Sequence, residues 1–147
     1  MNYLLLISCS QRKIETPGVL PAVDRYDGPT YRCLRKSCPD GMPKNLDVRI
    51  ISAKYGLIHS HKPVGFYDQL MTLERANELR PHIQFELNGL IQTQCDGYDQ
   101  VFINLGKTYM RTLDGFHWGT IATMEASGGI GLKTQQMKAW LERILSP

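Results

Sequence analysis

The length, composition and charge of this chain exclude several classes of protein. At 147 residues it has the size of a single domain, and it can bury a core without disulfide bonds or metal ions. Hydrophobic residues make up 42% and charged residues 21%, which is not the composition of a disordered chain. The formal net charge of +3 permits a phosphate-bearing partner but is too small for a protein that coats nucleic acid.

The four cysteines and four histidines do not show the spacing of a metal site. No CxxC pair occurs among the cysteines, which are Cys9, Cys33, Cys38 and Cys95. His59 and His61 would share one face of a strand, but no nearby Cys, Asp or Glu completes a set of zinc ligands. We therefore expect no metal site and no cofactor.

The amino-terminal segment gives no indication of export or membrane insertion. No basic region precedes its apolar run, and the run is too short for a signal peptide or a membrane span. We therefore expect a cytoplasmic protein with reduced thiols and without a membrane partner.

Two short apolar runs in the first third of the chain each end in a small polar cluster. The first predicts a strand over about residues 2–8 and gives way to Ser-Cys-Ser-Gln-Arg-Lys. The second predicts a strand over about residues 47–53 and gives way to Ser-Ala-Lys-Tyr-Gly. An aliphatic run bounded by turn-forming residues is typical of a buried strand.

Loops and a helix are predicted around these strands. Residues 14–30 are rich in proline and glycine and predict a long ordered loop, which in a compact domain is more often functional than not. A helix is predicted over about 29–36, with a proline in its first turn, where the missing N–H is not needed. A second loop is predicted over 56–71.

The second half of the chain predicts two more strands and three more helices. Apolar residues at helical spacing predict a helix over 73–93, and Pro81 inside it predicts a kink or two helices meeting there. A strand over 99–105 and a short helix over 108–113 follow. A weaker strand over 121–124 and a glycine turn precede a final helix, whose apolar face carries Met137, Trp140, Leu141, Ile144 and Leu145.

This element order predicts the fold class. Strands that alternate with helices indicate a single α/β domain over residues 1–147, a three-layer sandwich around a four-stranded, mainly parallel sheet. The ligands of such folds bind outside the carboxyl ends of the strands. Lys13, Lys54 and Lys107 follow three predicted strands at similar offsets. We expect one pocket lined by Cys9, Ser10, Lys13, Ser52, Lys54 and Tyr55, with an anion between Lys13 and Lys54.

Two further features leave alternatives open. Cys9 or Ser10 would be a nucleophile if a neighbouring cation lowered its pKa, or else a small buried residue and a turn cap. The turn Ser-Gly-Gly-Ile-Gly over 127–131 precedes a helix and exposes backbone N–H groups that suit an anion. It lacks the lysine and Ser/Thr of a P-loop, so phosphate contact and plain tight packing are both compatible with it.

Several of these motifs together resemble a family of small bacterial and phage domains with a CSxxK…Y…SAKYGL…P…YD signature. The matching residues are Cys9, Ser10 and Lys13; Tyr26, Gly28 and Pro29 with Arg32 and Arg35; residues 52–57; and Pro63, Tyr67 and Asp68. The resemblance covers residues 4–70 well, and the remainder through Asn104-Leu105-Gly106 and the glycine turn.

That family is similar to the YaaA-like proteins and to the central domain of archaeosine synthase. The resemblance implies an α/β fold like that of the uracil-DNA glycosylases and a role close to nucleobase modification or DNA repair. The chain has neither the GQDPYH-like nor the HPS-like loop of those glycosylases, which argues against simple uracil excision.

The function we predict is an enzyme, of glycosidase or glycosyltransferase type, acting at an N-glycosidic bond or on a base. Its partner would be a nucleobase, a nucleotide or a nucleic acid. Asp68 is the predicted carboxylate, with Ser10 and Cys9 as further catalytic candidates and Asp24 and Asp27 in reserve. The predicted substrate-binding residues are Arg12, Lys13, Tyr26, Ser52, Lys54, Tyr55, Tyr67, Asn104 and Lys107. The alternatives are a non-catalytic module that binds a nucleotide or nucleic acid, and a redox or acyl-transfer enzyme based on Cys9.

Overall fold

The structure, a computed structural model, describes residues 1–94 and 97–146, so Cys95 lies outside the described residues. The strands are β1 (Tyr3–Ser8), β2 (Leu20–Pro21), β3 (Leu46–Ser52), β4 (Gly56–His59), β5 (Pro63–Val64), β6 (Gln100–Asn104) and β7 (Ala122–Glu125). The helices are α1 (Ala22–Arg25), α2 (Pro29–Ser37), α3 (Leu73–Thr93) and α4 (Ile130–Leu145), with a 3-10 helix over Tyr109–Leu113.

The central sheet is mixed, and within the described residues it has five strands in the order β4-β3-β1-β6-β7. The pairs β3-β1, β1-β6 and β6-β7 are parallel, and β4 runs antiparallel to β3 at one edge. The α/β class and the four parallel strands are therefore confirmed. The expected count of four strands is wrong, because β4 lies inside the segment predicted to be a loop over 56–71.

Helices cover both faces of the sheet. Leu5 and Ile7 of β1 belong to one apolar cluster, which also contains side chains of α2 and α4. Leu4 and Leu6 belong to a second cluster with the apolar face of α3. The continuous apolar sequence of β1 follows from this position, since a central parallel strand is buried on both sides.

The helix α3 passes through Pro81 as one 21-residue helix. Proline removes one backbone hydrogen bond and costs about 3 kcal/mol in a helix interior. Burial of a large aliphatic side chain stabilises the fold by about 1.5–3 kcal/mol. The helix α3 buries Leu79, Ile83 and Leu87 as well as the smaller Ala76. Packing on the sheet therefore outweighs the local penalty. Of the two expected alternatives, a kink or two helices, the second is wrong.

The segment predicted as a long loop over 14–30 contains two short elements. The strand β2 pairs antiparallel with β5, and α1 follows it directly.

None of the helices in the described part of the chain combines the length and apolar character needed to cross a bilayer.

Candidate functional site

The carboxyl ends of β1, β3 and β6 are joined directly at one edge of the sheet. The backbone N–H of Cys9 donates to the carbonyl of Ile51 at 3.0 Å, which ties the end of β1 to that of β3. The backbone N–H of Gly106 donates to Ser8 Oγ at 2.8 Å, which ties the end of β6 to that of β1. The polar clusters after these strands therefore share one edge, where α/β folds bind ligands.

A cavity of about 620 Å³ opens at the carboxyl ends of β1 and β6. This volume is within the range of small-molecule sites, roughly 300–1,000 Å³. Five of the predicted site residues line it: Cys9, Ser10, Arg12, Asn104 and Lys107.

The N-termini of two helices, α2 and α4, border this cavity. Their N-cap residues are Gly28 and Gly129, so no capping side chain occupies the first-turn N–H groups. The backbone of Gly128 has a φ of +95°, and a Cβ there would lie 2.6 Å from Leu132 Cδ2. Glycine is therefore required at this turn, which presents the positive end of α4 to the cavity.

Four cationic side chains line the same cavity: Arg12, Arg32, Lys107 and Lys133. The carboxylate of Asp27 lies 3.3 Å from Arg12, 3.3 Å from Arg32 and 3.0 Å from Arg35. These groups, chiefly the hydrogen bond from Arg32, lower the pKa of Asp27. One carboxylate among three guanidinium groups leaves the region positive and holds the arginines in place, so Asp27 is a positioning residue here.

A second group of predicted residues lies beside the cavity, at the carboxyl ends of β1 and β3. The hydroxyl of Ser52 is 2.8 Å from the hydroxyl of Tyr67 and accepts hydrogen bonds from the N–H groups of Lys54 and Tyr55. The hydroxyl of Tyr26 contacts those of Tyr67 and Ser52. This network orders the turn after β3.

Tyr26 and Tyr67 are core residues in this structure. Tyr26 is fully buried and Tyr67 is 7% exposed. The Tyr67 ring meets those of Tyr26 and Tyr55 edge-on, with centroids 6.2 and 5.5 Å away. Tyr26 therefore cannot stack on a base as predicted. Its role is to support Ser52 and Tyr67.

Lys13 and Lys54 converge on one aromatic ring. The ammonium group of Lys13 lies 4.4 Å from the centroid of the Tyr67 ring, and that of Lys54 lies 5.4 Å from it. Burial lowers the pKa of Lys13, and the nearby Cys9 and Asp68 partly offset this effect. The predicted proximity of the two lysines agrees with this geometry, but neither lysine lines the cavity.

The predicted catalytic residues occupy different environments. Asp68 is exposed near Lys13 and does not line the cavity. Ser10 Oγ donates to the carbonyl of Arg12 and accepts from the N–H of Asp27, which is the turn-capping alternative. Cys9 is buried, with its sulfur 3.0 Å from the hydroxyl of Tyr109. Within residues 1–94 and 97–146, no three His, Cys, Asp or Glu residues converge to hold a metal ion.

Several residues of the cavity lining were not among the predicted site residues, and Tyr31, Tyr109 and Lys133 are three of them. Tyr31 donates its hydroxyl hydrogen to the carbonyl of Ser8 at 2.7 Å, and Tyr109 lies against Cys9. Lys133 donates to the carbonyl of Leu105 at 2.8 Å. A signal for Lys133 existed, because it follows the glycine turn within the first turn of a predicted helix.

Buried tyrosines make the stability of this site sensitive to alkaline pH. Burial raises the pKa of Tyr26 to about 12 and raises the pKa values of Tyr31, Tyr67 and Tyr109 as well. A group with a raised folded-state pKa stabilises the fold fully below its unfolded pKa of about 10 and loses this contribution as the pH rises. For Tyr26 alone the loss approaches about 3 kcal/mol near pH 12.

We therefore expect the free energy of unfolding to be constant between about pH 7 and 9 and to fall steeply above about pH 10. Urea titrations monitored by circular dichroism, with tyrosinate absorbance recorded in parallel, measure this effect. In Tyr26→Phe, the free energy of unfolding should fall less steeply above about pH 10 than in the wild type. Tyrosinate signals that appear before unfolding, with no loss of stability, would contradict the assignment.

Comparisons with known proteins place the chain in a family. No curated protein matches it. The crystal structure of AF0587, a protein of unknown function, superimposes with a TM-score of 0.57 and 16% identity over 95% of this chain. The similarity is one of fold alone, and the chain spans 44% of that protein's length. A profile described as a family of unknown function, DUF6884, matches residues 4–144, and the chain therefore belongs to that family.

Proposed function

We propose that this domain binds a phosphorylated nucleoside, free or within a nucleic acid, in the cavity at the carboxyl ends of β1 and β6. The observation that carries the proposal is the convergence of two glycine-capped helix N-termini and four cationic side chains on one cavity. Helix N-termini offer N–H groups and a positive dipole to an anion. Guanidinium groups such as those of Arg12 and Arg32 bind phosphate oxygens in pairs.

The rest of the lining supports the choice of a nucleoside over a bare anion. Pro29, Tyr109 and Ile130 contribute apolar and aromatic surface to the cavity. Asn104 adds a carboxamide, whose N–H group contacts Met137 Sδ at 3.6 Å and whose oxygen suits a donor on the edge of a base. An apolar wall with a few polar groups is the usual lining of a site for a drug-sized ligand.

A second proposal is that the domain also acts on the bound nucleotide at its N-glycosidic bond or its base. The resemblance to YaaA-like proteins and to the uracil-DNA-glycosylase-like domain of archaeosine synthase supports it. Asp68 near Lys13 is the candidate carboxylate, and it lies outside the cavity lining. Because a glycosidic reaction needs a carboxylate near the sugar carbon, this position supports binding more directly than catalysis.

Calorimetric titration of the four common ribonucleosides and their monophosphates tests the first proposal. We expect a monophosphate to bind at least about tenfold more tightly than its nucleoside, because only the phosphate engages the cations and helix N-termini. Arg12→Gln and Lys107→Gln should each weaken monophosphate binding about five- to tenfold and leave nucleoside binding nearly unchanged.

The matched control is Lys138→Gln, since Lys138 is exposed on α4 and lies outside the cavity lining. It should bind the monophosphate like the wild type, and thermal melting should show all three variants folded. Equal affinity for nucleoside and monophosphate, or an equal loss in the control, would overturn the phosphate assignment. Chromatography of the same incubations for released or modified base tests the second proposal.

A further inference from the structure

A cluster of three lysines lies on the sheet edge next to the cavity, over the rings of Tyr55 and Tyr67. The ammonium groups of Lys54 and Lys62 lie 5.2 and 5.6 Å from the centroid of the Tyr55 ring. Lys13 and Lys54 both approach the Tyr67 ring. These distances place neighbouring ammonium groups within about 11 Å of each other.

The positive charge of this lysine cluster is only weakly compensated. Among the carboxylates that the structure describes, none lies within 4.0 Å of the ammonium groups of Lys13, Lys54 or Lys62. Asp68 acts on Lys13 from a greater distance. The aromatic rings beneath the ammonium groups attract cations without taking up their N–H donors. Lys13 donates one of its three N–H groups to the carbonyl of Gln11 at 3.4 Å, so two remain for another ligand.

The lysine cluster and the cavity are neighbours along the same sheet edge. The loop after β1 contributes to both: Ser10 and Arg12 line the cavity, and the ammonium group of Lys13 lies over the Tyr67 ring. The cationic surface therefore continues from the cavity to the end of β3. A free mononucleotide held in the cavity would leave the lysine cluster without an anion, whereas a strand has further phosphates to place there.

Two exposed apolar side chains lie on segments that adjoin residues of the lysine cluster in the sequence or through strand pairing. Phe66 is 53% exposed and directly precedes Tyr67, and Val19 is 65% exposed. The antiparallel pairing of β2 with β5 brings their two segments together. Cations beside an exposed aromatic ring are the combination that binds single strands, because phosphates pair with the lysines while a base stacks on the ring.

We infer that the ligand is a single-stranded nucleic acid, with one nucleotide in the cavity and its flanking phosphates on Lys13, Lys54 and Lys62. The inference rests on the proposed function and specifies its substrate class. It predicts that affinity grows with strand length, since each added phosphate contact releases a counterion. The growth comes from the lysine cluster and not from the cavity.

Fluorescence anisotropy with single-stranded DNA and RNA of one, three and six nucleotides tests this inference. We expect the wild type to bind the hexanucleotide at least about tenfold more tightly than the mononucleotide. In the double variant Lys54→Gln/Lys62→Gln, hexanucleotide affinity should fall to within about threefold of mononucleotide affinity. The slope of log affinity against log salt should become shallower by about 1.4, which is about 0.7 for each lost phosphate contact.

The matched control is Lys36→Gln/Lys138→Gln, which removes two exposed lysines from the groove between α2 and α4. It should retain the full gain with length. Tight mononucleotide binding without any gain for the hexanucleotide would overturn the inference and leave the proposed function standing. A length-dependent gain in affinity without mononucleotide binding would support strand binding by the lysine cluster. It would overturn the assignment of a nucleotide to the cavity. Equal losses in control and test variants, or tighter binding of a duplex, would also overturn the inference.

Discussion

Replacement of Arg25 by methionine is expected to lower the free energy of unfolding by about 3–5 kcal/mol, the largest effect we predict for one side chain. Arg25 is fully buried. Its guanidinium donates to the carbonyls of Val64 at 3.0 Å, Ile14 at 2.6 Å, Thr16 at 2.7 Å and Gly18 at 2.7 Å. Methionine fills much of the volume but leaves the buried carbonyl of Val64 and the part-buried bonds to Ile14, Thr16 and Gly18 without their donor. Each group that water does not reach costs about 1–3 kcal/mol.

The comparison of Arg25→Met with Arg143→Met in urea titrations measures this effect. Arg143 is exposed on α4 and serves as the matched arginine control, with an expected change below about 0.5 kcal/mol. Arg25→Lys should also lose stability, because a single ammonium group cannot reach four carbonyls spread over two segments. A loss below about 1 kcal/mol in Arg25→Met would show that water replaces the guanidinium without penalty.

This arginine matters for function through the loop that it orders. It connects the segment after Lys13 to β5, just ahead of Tyr67. Lys13 belongs to the lysine cluster beside the cavity, and the Tyr67 ring lies beneath it. A destabilised Arg25 variant should therefore also lose part of its affinity for a hexanucleotide, and limited proteolysis should cut within residues 14–19 first.

Replacement of Ser52 by alanine is expected to have the second-largest effect, lowering the free energy of unfolding by about 2–3 kcal/mol. Ser52 is fully buried, and its hydroxyl oxygen accepts from the N–H groups of Lys54 and Tyr55 while contacting the hydroxyls of Tyr26 and Tyr67. Alanine removes only one oxygen atom. It leaves the N–H groups of Lys54 and Tyr55 without an acceptor and removes a hydrogen-bond partner of the two buried phenol hydroxyls. The turn after β3 is therefore less ordered.

Urea unfolding measures the loss in Ser52→Ala, and anisotropy with the hexanucleotide measures its consequence for the lysine cluster. The control Ser127→Ala changes an exposed serine and should leave stability within about 0.5 kcal/mol of the wild type. The Tyr67→Phe variant should lose less than Ser52→Ala, because the backbone N–H groups keep their acceptor. Wild-type stability in Ser52→Ala would mean that a water molecule satisfies these donors.

The regular elements show why much of the fold could be predicted from the sequence. The strand β1 is a continuous apolar run because helices cover it on both sides, and that pattern is visible locally. The strand β4 has only four residues, begins with a glycine and ends with an exposed histidine. Nothing in so short a segment distinguishes an edge strand from a loop, and pairing with β3 decides the outcome.

The candidate site also has a part that could be predicted from the sequence and a part that could not. The polar clusters after β1, β3 and β6 were predictable as neighbours, because parallel strands bring their carboxyl ends to one edge. Their separation into a cavity and a lysine cluster was not. It depends on how the loop after β1 turns, which places Arg12 in the cavity lining and the adjacent Lys13 over the Tyr67 ring.

By itself, the sequence determined the α/β class, the parallel strands and the polar strand ends, because each depends on residues within a few positions of one another. Only the tertiary structure decided that Tyr26 is buried and that Cys9 lies against Tyr109. It also decided that Arg25 is held by carbonyls rather than by a carboxylate. These contacts join segments far apart in the chain, and burial and distance between such segments exist only once the sheet has assembled.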